Sequence, residues 1–373
     1  MKRFITIIYA MLLFSYSTLG EEEYIKGKVL QIERVFAPEE GEEEIKEIKQ
    51  LRVRILSGSL KGRIVPIDFQ VFNEEAYNIT LKEGDSVVIY YENIDEYENF
   101  TIIEIDKRNY IFYLVGIFVA LTLIFARNKG VRGIIALLVV IVTIYGFFIP
   151  FIINGLSIGP KTFHSPILGS VVTASISSVV TIFLMTNFNR KGLIAAVGSI
   201  GGVVVAGVLS FFFVYKMRLT GYTNTEILNY AVSFSEQVKN IDFREIISAG
   251  VIIGSMGAVM DVGMSISSAL NEIHEKKPDI SAKELFISGM NIGSDVIGTM
   301  VNTLVLAYIG SGLASNLLLT LQKDQYPMIR IFNFESIVVD ILRAFCGSIG
   351  ILVAVPLTSY VGARLYAKKS SDQ

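Results

Sequence analysis

Two patterns of apolar and polar positions divide the chain near residue 108. Before it, short apolar stretches alternate with polar ones. Leu51, Val53 and Ile55 alternate with Arg52 and Arg54, the period of a strand with one buried face. Similar stretches at Tyr24–Val35, Ile64–Phe69, Ser86–Tyr91 and Phe100–Ile105 predict four more strands. Ser57-Gly58-Ser59, Lys61-Gly62 and Lys82-Glu83-Gly84-Asp85 supply turns between them. Glu39–Lys49 has no periodic apolar positions and reads as a charged loop. Five short strands over residues 22–106 predict a small β-barrel-like domain of the OB or SH3 kind.

From residue 110 the pattern changes to apolar runs long enough to cross a bilayer. Seven are expected, at about 110–126, 131–153, 167–186, 192–215, 245–268, 293–318 and 336–362. The expected fold class is therefore an α-helical polytopic membrane protein of about seven transmembrane helices with an N-terminal extracytoplasmic β domain. Helix starts are legible at Pro166, at Asp242 with Glu245, and at Ser281 with Glu284. Thr223 and Glu226 show the same capping spacing ahead of an amphipathic segment. Pro356 predicts a kink in the last span.

Composition agrees with this division. Hydrophobic residues make up 52% of the 373 and charged residues 18%, against about 25% charged in soluble domains. The mean hydropathy is +0.53. An ordinary soluble enzyme and a disordered chain are both excluded. The net charge of −2 gives no general attraction to nucleic acid. Cys346 is the single cysteine, and only His164 and His274 are histidines, so no metal centre or cofactor is expected.

Residues 1–20 read as a signal peptide or signal anchor: Lys2 and Arg3, then an apolar run to Phe14, then small residues. Such a leader exports the β domain. The basic clusters at Arg127, Lys129 and Arg132, at Arg190 and Lys191, and at Lys276, Lys277 and Lys283 then fall on the cytoplasmic side. The domains expected are the leader, a β domain at 22–106, a transmembrane domain at 110–366 and a cytoplasmic tail at 367–373. The lipid bilayer and a protein docked on the β domain are the partners expected. The oligomeric state is left open.

Polar residues inside the later spans carry the chemistry. Asp261 and Ser265 share a helix face with Gly254 and Ala258, and Asp295 shares one with Thr299 and Asn302. A carboxylate in hydrocarbon costs at least ~2.5 kcal/mol. It must face protein or water, or take a proton. A symmetric hairpin turning at Pro278 sets Asp261 level with Asp295, and Ser265 level with Asn291. No Lys or Arg lies in the neighbouring turns, so the two carboxylates are expected to share a proton or hold a cation. Ser265, Asn291, Thr299 and Asn302 are the supporting polar groups. Asp340 and Arg343, three residues apart, are expected to form a structural ion pair.

The runs Gly257–Ser268 and Asp295–Leu304 resemble the YibE/F-like family of bacterial multispanning membrane proteins. Members more often show Ala where Gly263 stands and Arg where Ser294 stands. The resemblance implies a multi-pass protein of the bacterial inner membrane and brings little mechanism. Three functions are expected in descending order: a secondary transporter coupled through the aspartate pair, a non-catalytic scaffold whose β domain binds a partner, and an intramembrane aspartyl hydrolase. A non-enzymatic role leads.

Overall fold

The computed structural model describes residues 22–38, 44–74, 78–94, 97–158, 161–186, 188–223, 225–321 and 326–366. The leader, the tail and the side chain of Glu226 lie outside the described residues. The chain forms two compact units, one ending at Ile124 and the other starting at Phe125.

The first unit contains strands β1 (Glu22–Phe36), β2 (Ile45–Ile55), β3 (Ile64–Phe72), β4 (Ser86–Ile94) and β5 (Tyr97–Ile105). They form one antiparallel sheet in the order β3-β2-β1-β4-β5. β1 is central: its first half pairs with β4 and its second half with β2. Register shifts between Val29 and Gln31 and between Ile32 and Arg34 bend it. The sheet curls into a half-barrel around Ile25, Val29, Leu51, Val53, Ile55, Val87 and Ile89, all essentially fully buried. Arg63 donates to Glu98 at 2.7 Å, tying the start of β3 to β5. Gly27 is required at the crowded centre, where a Cβ would overlap Ile89 and Val53.

One expectation is corrected here. Ile45–Lys49 is the first half of β2, paired with β1 on one side and β3 on the other. A register shift between Ile45 and Glu47 breaks the alternation, so the segment carries no strand period in the sequence.

Asp106 joins the sheet to the first helix. It is 4% exposed. Lys26 Nζ lies 2.8 Å from it, and the Arg108 guanidinium donates to both carboxylate oxygens at 2.8 and 3.0 Å. The hydrogen bonds from Arg108, with further help from Lys26, outweigh desolvation and hold this carboxyl well below the usual carboxylate range.

Helix α1 (Arg108–Thr143) continues through a π turn (Ile144–Phe148) into α2 (Ile149–Asn154). Together they form a 47-residue apolar element. At 1.5 Å per residue that is about 70 Å, twice a bilayer's hydrocarbon thickness of about 30 Å. The helix breaks at Arg127 (φ 48°, ψ −127°), within the stretch where two of the seven spans were expected, and counts as one of six membrane-length apolar elements. Five further helices are long and apolar enough to cross a membrane. They are α3 (Pro166–Thr186), α4 (Arg190–Lys216), α7 (Phe243–Lys276), α8 (Ala282–Ser311) and α11 (Glu335–Tyr366). Shorter elements connect them: the β6–β7 hairpin (Leu156–Ile158, Lys161–Phe163), α5 (Thr225–Ser233), α6 (Ser235–Val238), α9 (Leu313–Leu321) and α10 (Met328–Ile331).

One span differs from the sequence reading. The sixth span is Ala282–Ser311, because the Ser281–Glu284 capping box starts it and Gly312 ends it. The polar run around Asn291–Asp295 had masked its first turns. The last span, Glu335–Tyr366, is one helix with Pro356 inside it, where a backbone hydrogen bond is lost.

In the second unit, α4, α7 and α11 form the packed centre, with α3 against α4 and α7, and α8 against α11 and α7. α4 and α11 approach to backbone contact: a Cβ on Gly202 would lie 2.6 Å from the Gly350 carbonyl oxygen. Carboxylates staple the helix ends. Glu335 accepts from Thr220 N, Thr220 Oγ1 and Gly221 N at 2.9, 2.8 and 2.6 Å. Glu245 accepts from Ser165 Oγ at 2.6 Å.

Gly202→Ala should destabilise the protein by about 1–3 kcal/mol through overpacking, read as a lower melting temperature in detergent. Asp106→Asn should cost about 2 kcal/mol near neutral pH, the scale of hydrogen bonds to a charged group. Because folding depresses this pKa, the wild type's advantage is complete above the unfolded value of about 3.9 and shrinks as pH falls below it. Paired thermal melts from pH 7 to pH 3 check the sign. A constant difference would refute it.

Candidate functional site: an acidic cavity beside α7

The central helix α7 has two unlike faces. Val259, Val262 and Ile266 are fully buried against the core of α4 and α11. Ser255 and Ser267 lie on the buried side and donate to carbonyls of their own helix, Val251 at 2.7 Å and Met264 at 3.1 Å. Gly254, Gly257, Asp261 and Ser265 occupy the opposite, exposed face. Close packing sets this orientation: Gly263 lies where a Cβ would be 2.7 Å from Ser199 Oγ and 3.0 Å from the Ala195 carbonyl oxygen.

The exposed face borders a cavity of about 780 Å³. Gly133, Ala136, Leu137 and Val140 of α1 form one wall, and Thr181 and Met185 of α3 form another. From α7 come Met256, Met260 and Met264 at successive helical turns, together with Asp261, Ser265 and Ser268. At the Ile253 end, Phe148, Phe151, Ile152 and Ala249 pack together beside it. Asp261 is the one charged residue of the lining. Among the described residues it has no hydrogen bond or ion pair. Thr181, 7% exposed, also lines the cavity, but its Oγ1 is turned away from it, buried and without a partner among the described residues.

The other site candidates are distributed differently. Asn291, Asp295, Thr299 and Asn302 are exposed on α8, together with Ser294 and Gly298. Thr299 donates to the Val296 carbonyl at 2.9 Å. Asp295 is not among the residues lining the cavity. The α7–α8 register is also shifted from the symmetric hairpin. Gly293 faces Ile266, Gly289 faces Leu270, and Gly254 faces the Tyr308 hydroxyl. The first two contacts set Asp261 level with about Gly298, and Asp295 about three residues, or ~4.5 Å of helix rise, from Asp261. The helices end at Lys276 and start at Ala282, so the hairpin is centred near Asp279 rather than on Pro278.

Arg343 Nη1 lies 3.4 Å from Asp340 Oδ1 on α11. The buried Tyr308 hydroxyl, without a partner among the described residues, lies on the α7-facing side of α8, beside Gly254. Cys346 is a buried free thiol in the packing of Val339 and Leu342. Among the described residues no group of three His, Cys, Asp or Glu side chains is placed to hold a metal ion.

Sequence reasoning placed Asp261, Ser265 and Gly254 on one face but missed the rest of the lining. Met256-x₃-Met260-x₃-Met264 was a readable signal, since residues four apart stack on one face. Thr181 and Met185 carried no local signal; only the packing of α3 on α7 brings them here.

The family model of the YibE/F-like protein matches residues 114–368. The chain belongs to the YibE/F-like family. The matched region contains both aspartates and the whole cavity, and leaves out the β-sheet. No curated protein and no solved structure matches the chain.

In a Cys346→Ser background, Ser265→Cys should react with a small membrane-permeant maleimide, whereas Ser267→Cys, at a fully buried position, should react only after denaturation. Equal labelling of the two would show that α7 presents a different face. Mass spectrometry of the labelled peptide gives the readout.

Proposed function

We propose that this multi-pass membrane protein is a secondary transporter in which Asp261 is the proton- or cation-coupling group. The observation that carries the reading is a carboxylate without a counter-charge on the wall of a large cavity between membrane-length helices. Structural packing rarely needs such a group, and hydrocarbon excludes it unless it is protonated or neutralised. A carboxylate that alternates between a proton and a cation is a coupling device of the kind transporters use.

Asp295 takes the role of a second protonation site. It lies on the outward side of α8, about one helical turn from the level of Asp261. Ser265, Asn291, Thr299 and Asn302 supply hydrogen-bonding groups along the two exposed faces. The intramembrane hydrolase reading needs both carboxylates on one substrate, and only Asp261 lines the cavity. The orientation proposed is a β domain outside the cytoplasm and a cytoplasmic C-terminus, in a bacterial inner membrane. The break at Arg127, close to Lys129 and Arg132, fits a short basic cytoplasmic turn. The exported half-barrel is the surface on which a protein partner would dock.

Dicyclohexylcarbodiimide modifies protonated carboxyl groups in apolar surroundings. Asp261 should be modified, more at pH 5.5 than at pH 8.5, as read by mass spectrometry. Asp261→Asn and Asp295→Asn should each keep normal abundance and abolish the cellular phenotype of the gene, with the double variant no worse than either. Normal function of both Asn variants would overturn the coupling role. So would loss of function in proportion to lost abundance.

A further inference from the structure

The cavity beside α7 also has the character of a ligand site, and this step rests on the transporter reading of Asp261. Its volume of about 780 Å³ is that of a pocket for a drug-sized molecule, well beyond what a bare ion fills. Its walls are apolar. Four methionines, Met185, Met256, Met260 and Met264, come from two helices. Thioether chains are flexible and polarisable, so they mould to apolar bodies of different shape. Among the described residues no aromatic ring lines the cavity, so a cation entering it has no ring face to rest on. Asp261 is the single charge available, with no Lys or Arg in the lining to neutralise it.

We propose that the cavity binds an organic monocation with a bulky apolar body, such as a quaternary onium ion or a protonated hydrophobic amine. The apolar body fills the methionine-lined volume and its positive centre pairs with the Asp261 carboxylate. An anion of the same shape meets the same walls and an unfavourable charge. A neutral lipid chain filling the cavity would leave Asp261 unpaired. Proton and ligand then compete for one carboxylate, which makes binding weaker at low pH and couples the two fluxes in opposite directions.

The test uses the full chain in nanodiscs and two probes of matched shape and opposite charge, tetraphenylphosphonium and tetraphenylborate. Radiolabelled tetraphenylphosphonium should bind saturably to one site, and binding should weaken as pH falls from 8 to 5. Asp261→Asn should weaken it about tenfold, the loss of one charge contact worth roughly 1.4 kcal/mol. Asp261→Glu should retain most of the affinity. Met260→Ala combined with Met264→Ala should weaken it several-fold with no change in its pH dependence. Glu272→Gln, a carboxyl on the exposed end of α7, should leave it unchanged and serves as the charge control. Saturable binding of tetraphenylborate with equal affinity would overturn the proposal, as would unchanged affinity in Asp261→Asn or absence of saturable cation binding.

The two readings fail separately. If carbodiimide modification and the Asn phenotype stand while no cation binds, the ligand class is wrong and the coupling role survives. If the cation binds through Asp261 while Asp261→Asn is phenotypically normal, the site stands and the coupling role falls.

Discussion

The backbone contact between Gly202 on α4 and Gly350 on α11 is the constraint on which the helical unit depends. Each glycine lies where a Cβ would press on the other helix's carbonyl oxygen, at 2.6 and 2.8 Å. In lipid there is little hydrophobic drive for helices to associate, so close van der Waals approach takes its place. With α4 and α11 this near, α7 has one groove to fill. Val259 packs at the same level, Gly263 meets Ala195 and Ser199, and Gly207 leaves room for Ile252. These contacts fix the rotation of α7 about its axis. Asp261 has then no choice but the side away from the core.

Two kinds of carboxylate are held by this frame. Glu335, Glu245 and Asp340 are structural: each accepts hydrogen bonds or faces an arginine. Asp261 differs from all three in having a cavity in place of a partner. The difference follows from neighbours. Arg343 lies one helical turn from Asp340, whereas α7 carries no basic residue near Asp261 and α3 brings only Thr181 and Met185. The cation site proposed for Asp261 needs this arrangement, since a fixed counter-charge would occupy it permanently.

The first unit solves another problem, joining a water-soluble sheet to a helix that enters lipid. Asp106 does this by gathering Lys26 from the central strand and Arg108 from the first helical turn onto one buried carboxylate. A desolvated carboxylate with two cationic donors is stable as long as it remains ionised. The joint therefore holds throughout the neutral range and weakens only in strong acid.

Much of this was legible in the sequence, for physical reasons. Period-two alternation marks a strand wherever one face is buried, as in Leu51–Ile55. A run of apolar residues marks a span because the bilayer demands it. Ser281 with Glu284 marks a helix start because orphan backbone N–H groups need acceptors. Asp261 stood out because a membrane carboxylate is costly. Each of these signals is local, the chain answering to its own backbone or to the solvent. The strand at Ile45–Lys49 escaped because a bulge breaks its period, and the α7–α8 register escaped because side-chain packing, such as Ile266 against Gly293, decides it. The cavity is the plainest case. Its walls come from α1, α3 and α7, whose lining residues run from Gly133 to Ser268. A void between helices is defined by what three separate segments leave unfilled, and only their packing in three dimensions could bring Met185 and the α1 wall to the face of α7 that carries the carboxylate the sequence had already singled out.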